Sequence, residues 1–257
     1  MTRLDALFAR KPRNILSVYL TAGYPELNST VPLIQSLAAS GKVDMIELGV
    51  PFSDPMADGP VIQASSAQAL RNGMTLKTLL GQAAEARRLC PELPMVLMGY
   101  LNPMIQFGIE NLFEACREAG IDAMIIPDLP FHEYMRDFRS LCQSYGIPMI
   151  MLITPETSDE RIRLIDENCD GFIYMVSAAS TTGTRSNFGP EQTDYFKRID
   201  ALDLKHPRLI GFGISNPETL ADAQTYSSGA IVGSLFIKAL ATPDPTRTLL
   251  TTLGLEE

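Results

Sequence analysis

Residues 122–154 read DAMIIPDLPFHEYMRDFRSLCQSYGIPMIMLIT. The stretch opens and closes on short apolar runs, DAMIIPD from Asp122 and IPMIMLIT from Ile147. Between them EYMRDFRSLCQSYG carries apolar residues at helical spacing and stops at Gly146, as a helix C-terminus often does. A strand that is apolar on successive residues has no face to turn to water. It is buried on both sides, the mark of a parallel sheet covered by helices. The stretch therefore reads as one β–α–β unit.

The same alternation continues in both directions. Towards the N-terminus lie MVLMGY from Met95, DMIELG from Asp44 and ILSVYLT from Ile15; towards the C-terminus lie DGFIYMVS from Asp170, RLIGFG from Arg208 and GAIVGS from Gly229. Amphipathic segments such as TVPLIQSLAAS, LLGQAAEARRLC, ENLFEACREAG, DERIRLIDENC and ETLADAQTY separate them. Eight strand–helix units in 257 residues average about 32 residues each, the size of a (β/α)8 unit. An open, doubly wound sheet is the alternative, although no GxGxxG follows the first strand. No linker divides the chain, so the prediction is one α/β domain over residues 1–257, a (β/α)8 TIM barrel. TRLDALFAR places Leu4, Leu7 and Phe8 on one face behind a Thr2 cap, which predicts an extra N-terminal helix.

Charge limits the function classes. With 21 Lys plus Arg against 30 Asp plus Glu the net charge is −9, so the chain repels phosphate backbones and anionic bilayers, and neither a nucleic-acid nor a membrane partner is expected. A small anionic ligand is still allowed, because backbone dipoles act locally. The longest apolar run, IPMIMLI, is too short to cross a bilayer, and MTRLDALFARKPRN has no signal-peptide core, so a cytoplasmic location is expected. Cys90, Cys116, Cys142 and Cys169 form no CxxC pair and read as reduced thiols, each in the later part of a helix.

In such a barrel the site forms at the C-terminal ends of the strands. Glu47 lies inside the apolar run MIELGV, where a carboxylate is costly unless it is paired or functional. Asp58 follows in the loop VPFSDPMADGP. A buried structural hydrogen bond is the other reading of Glu47, and turn or cap roles are the other reading of Asp54 and Asp58. Asp128, in IIPDLP, is a third acid without an assigned role. Glycines form a second pole: GFGIS from Gly211, VGS from Val232, and TTG from Thr181 within SAASTTGTRSNFG, whose small polar residues suit a lid. Exposed backbone N–H groups and a helix opening at Ser234 suit a phosphate, with ordinary turn glycines as the alternative. Lys11, Lys42, Lys77, Lys197, Lys205 and Lys238 all fall outside strand ends, which leaves no Schiff-base lysine. His132 and His206 are the only histidines and fall outside the strands, so clustered metal donors are not expected. What remains is acid–base work by carboxylates on a small phosphorylated substrate.

YLTAGYP at the first strand, ELGVPFSDPMADGPVIQ at the second, the glycine-rich lid, GFGIS and VGS occur in this order along the whole chain. Together they resemble the α subunits of tryptophan synthases. The resemblance implies cleavage of indole-3-glycerol phosphate to indole and glyceraldehyde 3-phosphate, with no cofactor in this chain. It also implies a β-subunit partner that carries pyridoxal phosphate, in an αββα assembly. Position by position, it makes Glu47 the catalytic proton shuttle and Asp58 the acceptor of the indole N–H. Gly183, Gly211, Phe212, Gly213, Gly233 and Ser234 would bind phosphate, Tyr174 would line the pocket beside it, and Tyr100 and Met98 would face the indole. Thr182 would reach Asp58 on lid closure. The apolar neighbours Ile46 and Leu48 are expected to raise the Glu47 pKa. The chain departs from the common family pattern at Ser180, where glycine is frequent, and at Met56, where leucine is.

Two other readings remain. A phosphate-binding isomerase of phosphorylated ribosides explains the glycines but not the long second motif. An interaction subunit would use PFSDPMADGP and NPMIQFG to bind and activate a partner.

Overall fold

Each of the eight apolar runs forms a strand, and the strands close into a parallel barrel in the order β1 to β8. The computed structural model describes residues 2–177 and 187–256. In chain order the elements are α1 (Arg3–Arg10), β1 (Ile15–Thr21), α2 (Thr30–Ala39), β2 (Met45–Gly49), α3 (Pro60–Arg71), α4 (Leu76–Leu89), β3 (Met95–Met98), α5 (Leu101–Phe107), α6 (Ile109–Ala119) and β4 (Ala123–Ile125). There follow α7 (Phe131–Glu133), a π-helical turn (Tyr134–Phe138), α8 (Arg139–Tyr145), β5 (Met149–Ile153), α9 (Asp159–Asn168) and β6 (Ile173–Val176). The chain ends with α10 (Pro190–Asp200), β7 (Arg208–Gly211), α11 (Pro217–Tyr226), β8 (Gly229–Val232), α12 (Ser234–Ala239) and α13 (Pro245–Thr252). The open-sheet alternative is thereby excluded, because β1 pairs with β8 as well as with β2.

Successive strand residues point to opposite faces, so a closed barrel sorts them into two cores. Ile15, Met45, Val96, Ile125, Ile150, Phe172, Leu209 and Ile231 fill the lumen. Val18, Leu20, Ile46, Leu48 and Ile210 face outward and pack with helix residues such as Ile34, Leu79, Phe113, Ile162 and Phe196. This double burial is why every strand reads as a continuous apolar run.

The N-terminal helix closes one end of the lumen. A capping box fixes its start: the Asp5 N–H donates to Thr2 Oγ1 at 3.1 Å, and the Thr2 N–H donates to Asp5 Oδ2 at 2.8 Å. Leu4 and Leu7 are buried in the lumen cluster, and the Phe8 ring lies 6.0 Å from that of Phe172. Phe172 immediately precedes β6, so α1 seals the N-terminal end and leaves the opposite end open.

Other expectations take a definite form. The segment expected as one helix from Glu133 is interrupted by the π-helical turn before it resumes as α8 and ends at left-handed Gly146, with φ 65°. Cys116 and Cys142 sit in the last turns of α6 and α8, while Cys90 and Cys169 cap α4 and α9. All four are free, and burial pushes the thiols of Cys116, Cys142 and Cys169 up to about 12. Among the described residues, no helix is long and apolar enough to cross a membrane.

Candidate active site

The open end of the barrel holds a cavity of about 750 Å³ that gathers residues from β1 through α12. Glu47, Asp58, Met98, Tyr174, Phe212, Gly213, Gly233 and Ser234 all line it. A volume of that order is typical for a small-ligand site.

Glu47 reaches the cavity because β2 turns Met45, Glu47 and Gly49 to the lumen. Its neighbours Ile46 and Leu48 belong to the outer core and face the helices. Their side chains point away from the carboxyl that the sequence expected them to perturb. The enclosure of the lumen itself does so: Glu47 is fully buried, and desolvation raises its carboxyl to about 8, against the opposing pull of a hydrogen bond from Ser17. Ser17 Oγ donates to Glu47 Oε1 at 3.2 Å, while Oε2 has no partner among the described residues. Near neutral pH such a group is mainly a neutral acid with a proton to give.

Asp58 is held by the loop after β2. The Tyr100 hydroxyl donates to Asp58 Oδ2 at 2.9 Å and accepts from the Ala57 N–H at 2.9 Å. Gln63 Nε2 donates to the Asp58 carbonyl at 2.9 Å. Burial raises the Asp58 carboxyl above its usual range, and the Tyr100 hydrogen bond works against that rise. Tyr100 is the N-cap of α5 and stacks on Phe52 with ring centroids 5.2 Å apart. It is not among the described residues lining the cavity, and its hydroxyl is turned to Asp58.

Asp128 now has a structural account. Its Oδ1 accepts the Leu101 N–H at 2.8 Å, at the start of α5. Asp54 accepts a hydrogen bond from Ser53 Oγ, which fits the turn role.

On the far side of the mouth, Phe212 has φ 69° and Gly213 φ 82°. A left-handed conformation is costly for phenylalanine, and such strain concentrates at functional sites. Ser177 Oγ holds the turn by donating to the Phe212 carbonyl at 2.7 Å, and the Phe212 ring meets that of Tyr174 edge-on. Gly211 does not line the cavity; the Tyr174 hydroxyl covers the place where a Cβ would stand. Gly233 is the N-cap of α12, which opens at Ser234 as expected. Thr182, Gly183 and Ser180 lie outside the described residues.

Several lining residues escaped the sequence reading. Tyr19 lies wholly within the cavity wall, and a Cβ at Gly49 would fall on its hydroxyl. The signal was present in ILSVYLT, where Ser17, Tyr19 and Thr21 repeat at the period of one strand face. Tyr19 and Tyr174 are both pushed far up in pKa, first by burial and then by the nearby Asp58 and Glu47 charges, so both stay neutral phenols. Glu156, Glu191 and Lys238 also line the cavity. Lys238 thus stands closer to the chemistry than its helical position suggested.

Comparisons with known proteins agree with this architecture. The family model described as tryptophan synthase alpha chain matches residues 6–253. The tryptophan synthase alpha chain of Parabacteroides distasonis is 54% identical over 246 residues, covering 95% of each chain. That of Phocaeicola vulgatus is 52% identical over 244 residues, covering 95% of this chain and 94% of the relative. Among solved structures, the alpha chain from Legionella pneumophila subsp. pneumophila superposes with a TM-score of 0.86 at 34% identity, over 99% of this chain and 95% of that one. A chain of tryptophan synthase from M. tuberculosis, in its aminoacrylate-bound form, gives a TM-score of 0.86 at 28% identity, over 99% of both chains. With the barrel and the motifs, and with about half of its residues identical in the two bacterial relatives, this chain belongs to the tryptophan synthase alpha chain family.

Proposed function

We propose that this chain cleaves indole-3-glycerol phosphate by a retro-aldol reaction, releasing indole and glyceraldehyde 3-phosphate for tryptophan biosynthesis in the cytoplasm. The observation that carries the reading is Glu47, a fully buried carboxyl raised to about 8 that shares one cavity with Asp58. The protonated acid gives its proton to indole C3, and the ring becomes the electron sink for the bond to be broken. The resulting carboxylate takes the proton of the glycerol hydroxyl next to that bond. The carbon–carbon bond then breaks, its electron pair returns to the ring, the hydroxyl carbon becomes the aldehyde, and Glu47 is again protonated. Asp58, as the carboxylate, accepts the indole N–H and stabilises the positive charge that develops there.

The remaining lining residues divide by chemistry. Met98 bounds the indole end, Tyr174 lines the pocket beside the phosphate, and Phe212, Gly213, Gly233 and Ser234 present backbone groups to the phosphate. By family likeness Gly183 joins the phosphate end and Thr182 meets Asp58. Gly211 acts by making room for Tyr174, and Tyr100 acts through Asp58. The partner is a β subunit in an αββα assembly; that subunit would hold pyridoxal phosphate and condense the indole with L-serine. The exposed Met56, 91% accessible at the tip of the loop bearing Asp58, suits such a contact.

Indole release from indole-3-glycerol phosphate, with and without added β subunit, tests the reading. The chain has no tryptophan, so indole fluorescence stands against a tyrosine-only background. Release is expected in both arms and should be faster with the partner. Glu47→Gln should lower it by about 100-fold or more, the usual loss for a removed general acid–base. No indole in either arm would sink the lyase reading, and release only with the partner would make activation the dominant role.

A further inference from the structure

The lumen beneath Glu47 is filled by hydrocarbon side chains, yet β1 brings a hydroxyl to its carboxyl. Ser17 is fully buried, and its one described side-chain hydrogen bond runs to Glu47 Oε1 at 3.2 Å. The register sets Tyr19, not Ser17, opposite Glu47, so the serine reaches diagonally from two residues nearer the N-terminal end of the barrel. The second oxygen, Oε2, is buried and has no partner among the described residues, in a side chain that lines the cavity. A hydroxyl within the apolar lumen is costly unless it is hydrogen-bonded. Here its bond goes to the carboxyl that carries the chemistry.

We propose that Ser17 is a positioning residue for Glu47: by donating to Oε1 it fixes that oxygen as the acceptor and leaves Oε2 as the oxygen that carries and transfers the proton. The proposal rests on the lyase reading for its catalytic consequence but not for the contact itself. A donor to the carboxyl also favours the ionised form, so Ser17 limits the rise that burial imposes on Glu47. The other titratable groups whose charge bears on this region are Tyr19 on β1, Tyr174 on β6 and Asp58 in the loop after β2. The two phenols stay neutral over the working range. Glu156, Glu191 and Lys238 line the same cavity.

The test compares wild type, Ser17→Ala, Ser17→Thr and Glu47→Gln. The first measurement needs no turnover: the infrared C=O stretch of the protonated Glu47 carboxyl, assigned by its loss in Glu47→Gln, is followed against pH. In Ser17→Ala the band should move to higher frequency and titrate at higher pH, while Ser17→Thr, which keeps the hydroxyl, should titrate as wild type does. A band unchanged in Ser17→Ala overturns the proposal whatever the enzyme does. The second measurement is indole release. The protonated acid is the active form, so the rate falls as pH rises through the Glu47 pKa. Ser17→Ala should lower kcat about tenfold, the scale of one net hydrogen bond, leave KM nearly unchanged and move that basic limb to higher pH. A lower kcat with an unmoved limb, or a loss that Ser17→Thr does not restore, shows packing alone and also overturns it. Wild type that yields no indole strikes the lyase reading instead, and the infrared arm still decides the contact.

Discussion

At the level of single residues, Glu47 reverses the usual action of pH on an acidic protein. In the unfolded chain its carboxyl titrates at 4.5, and in the fold at about 8. Below the lower value both states hold the proton and burial is uncharged. Between the two the unfolded state ionises while the folded state does not, so the folded state binds more protons and stability falls as pH rises. The contribution, on the order of a few kcal/mol, is present below pH 4.5 and lost through pH 8. Glu47→Gln should therefore gain thermal stability relative to wild type progressively over that window, read from unfolding temperatures at several pH values; parallel curves would contradict the burial. Tyr100 supports a second expectation. Its hydroxyl opposes the burial-driven rise of Asp58, so Tyr100→Phe should move the acidic limb of kcat/KM upward and lower its plateau about tenfold. An unmoved limb would show that Tyr100 only caps α5. Glu47 was legible in the sequence because an acid inside an apolar run is conspicuous. The hydrogen bonds of Tyr100 and Asp128 were not legible, because their partners, Asp58 and the Leu101 N–H, lie 42 and 27 residues away and no local pattern announces them.

At the level of elements, all eight strands were legible, because burial on both faces writes itself as an unbroken apolar run. The π-helical turn before α8 was not, since both helix types keep Tyr134 and Phe138 apolar and inward. What a strand glycine does was equally hidden. Gly49 ends β2 where the Tyr19 ring leans across from β1, and an added Cβ would fall on that ring, which has no flexible end to move aside. Gly81, inside α4, has open space around the same position. The two alanine variants should part in opposite directions. Gly81→Ala should stabilise by about 0.5–1 kcal/mol through helix propensity. Gly49→Ala should destabilise by about 1–3 kcal/mol through overpacking and, because Tyr19 lines the cavity, raise KM for the substrate. Denaturant unfolding and steady-state kinetics on the same samples check both. A neutral Gly49→Ala would mean that Tyr19 is free to move.

At the level of the whole molecule, the count of strands fixed closure, whereas the make-up of the cavity follows only from closure. Tyr19 and Lys238, far apart in the chain, meet there because β1 and β8 are neighbours. The same view corrects what net charge says about the ligand. The chain carries −9, and among the described residues around the cavity Asp58, Glu156 and Glu191 outnumber Lys238. On the proposed reading a phosphorylated substrate would therefore be repelled on approach and held only once it reaches the backbone groups at Gly213, Gly233 and Ser234. Repulsion at long range is screened by salt, while short hydrogen bonds inside a cavity are screened much less. Raising ionic strength with sodium chloride should thus leave kcat/KM unchanged or raise it by up to about twofold. Inorganic phosphate at the same ionic strength should inhibit competitively, since it takes the place of the substrate's own phosphate. A tenfold fall with sodium chloride would require attraction by clustered cations, which would move the phosphate away from the glycine turns and onto Lys238.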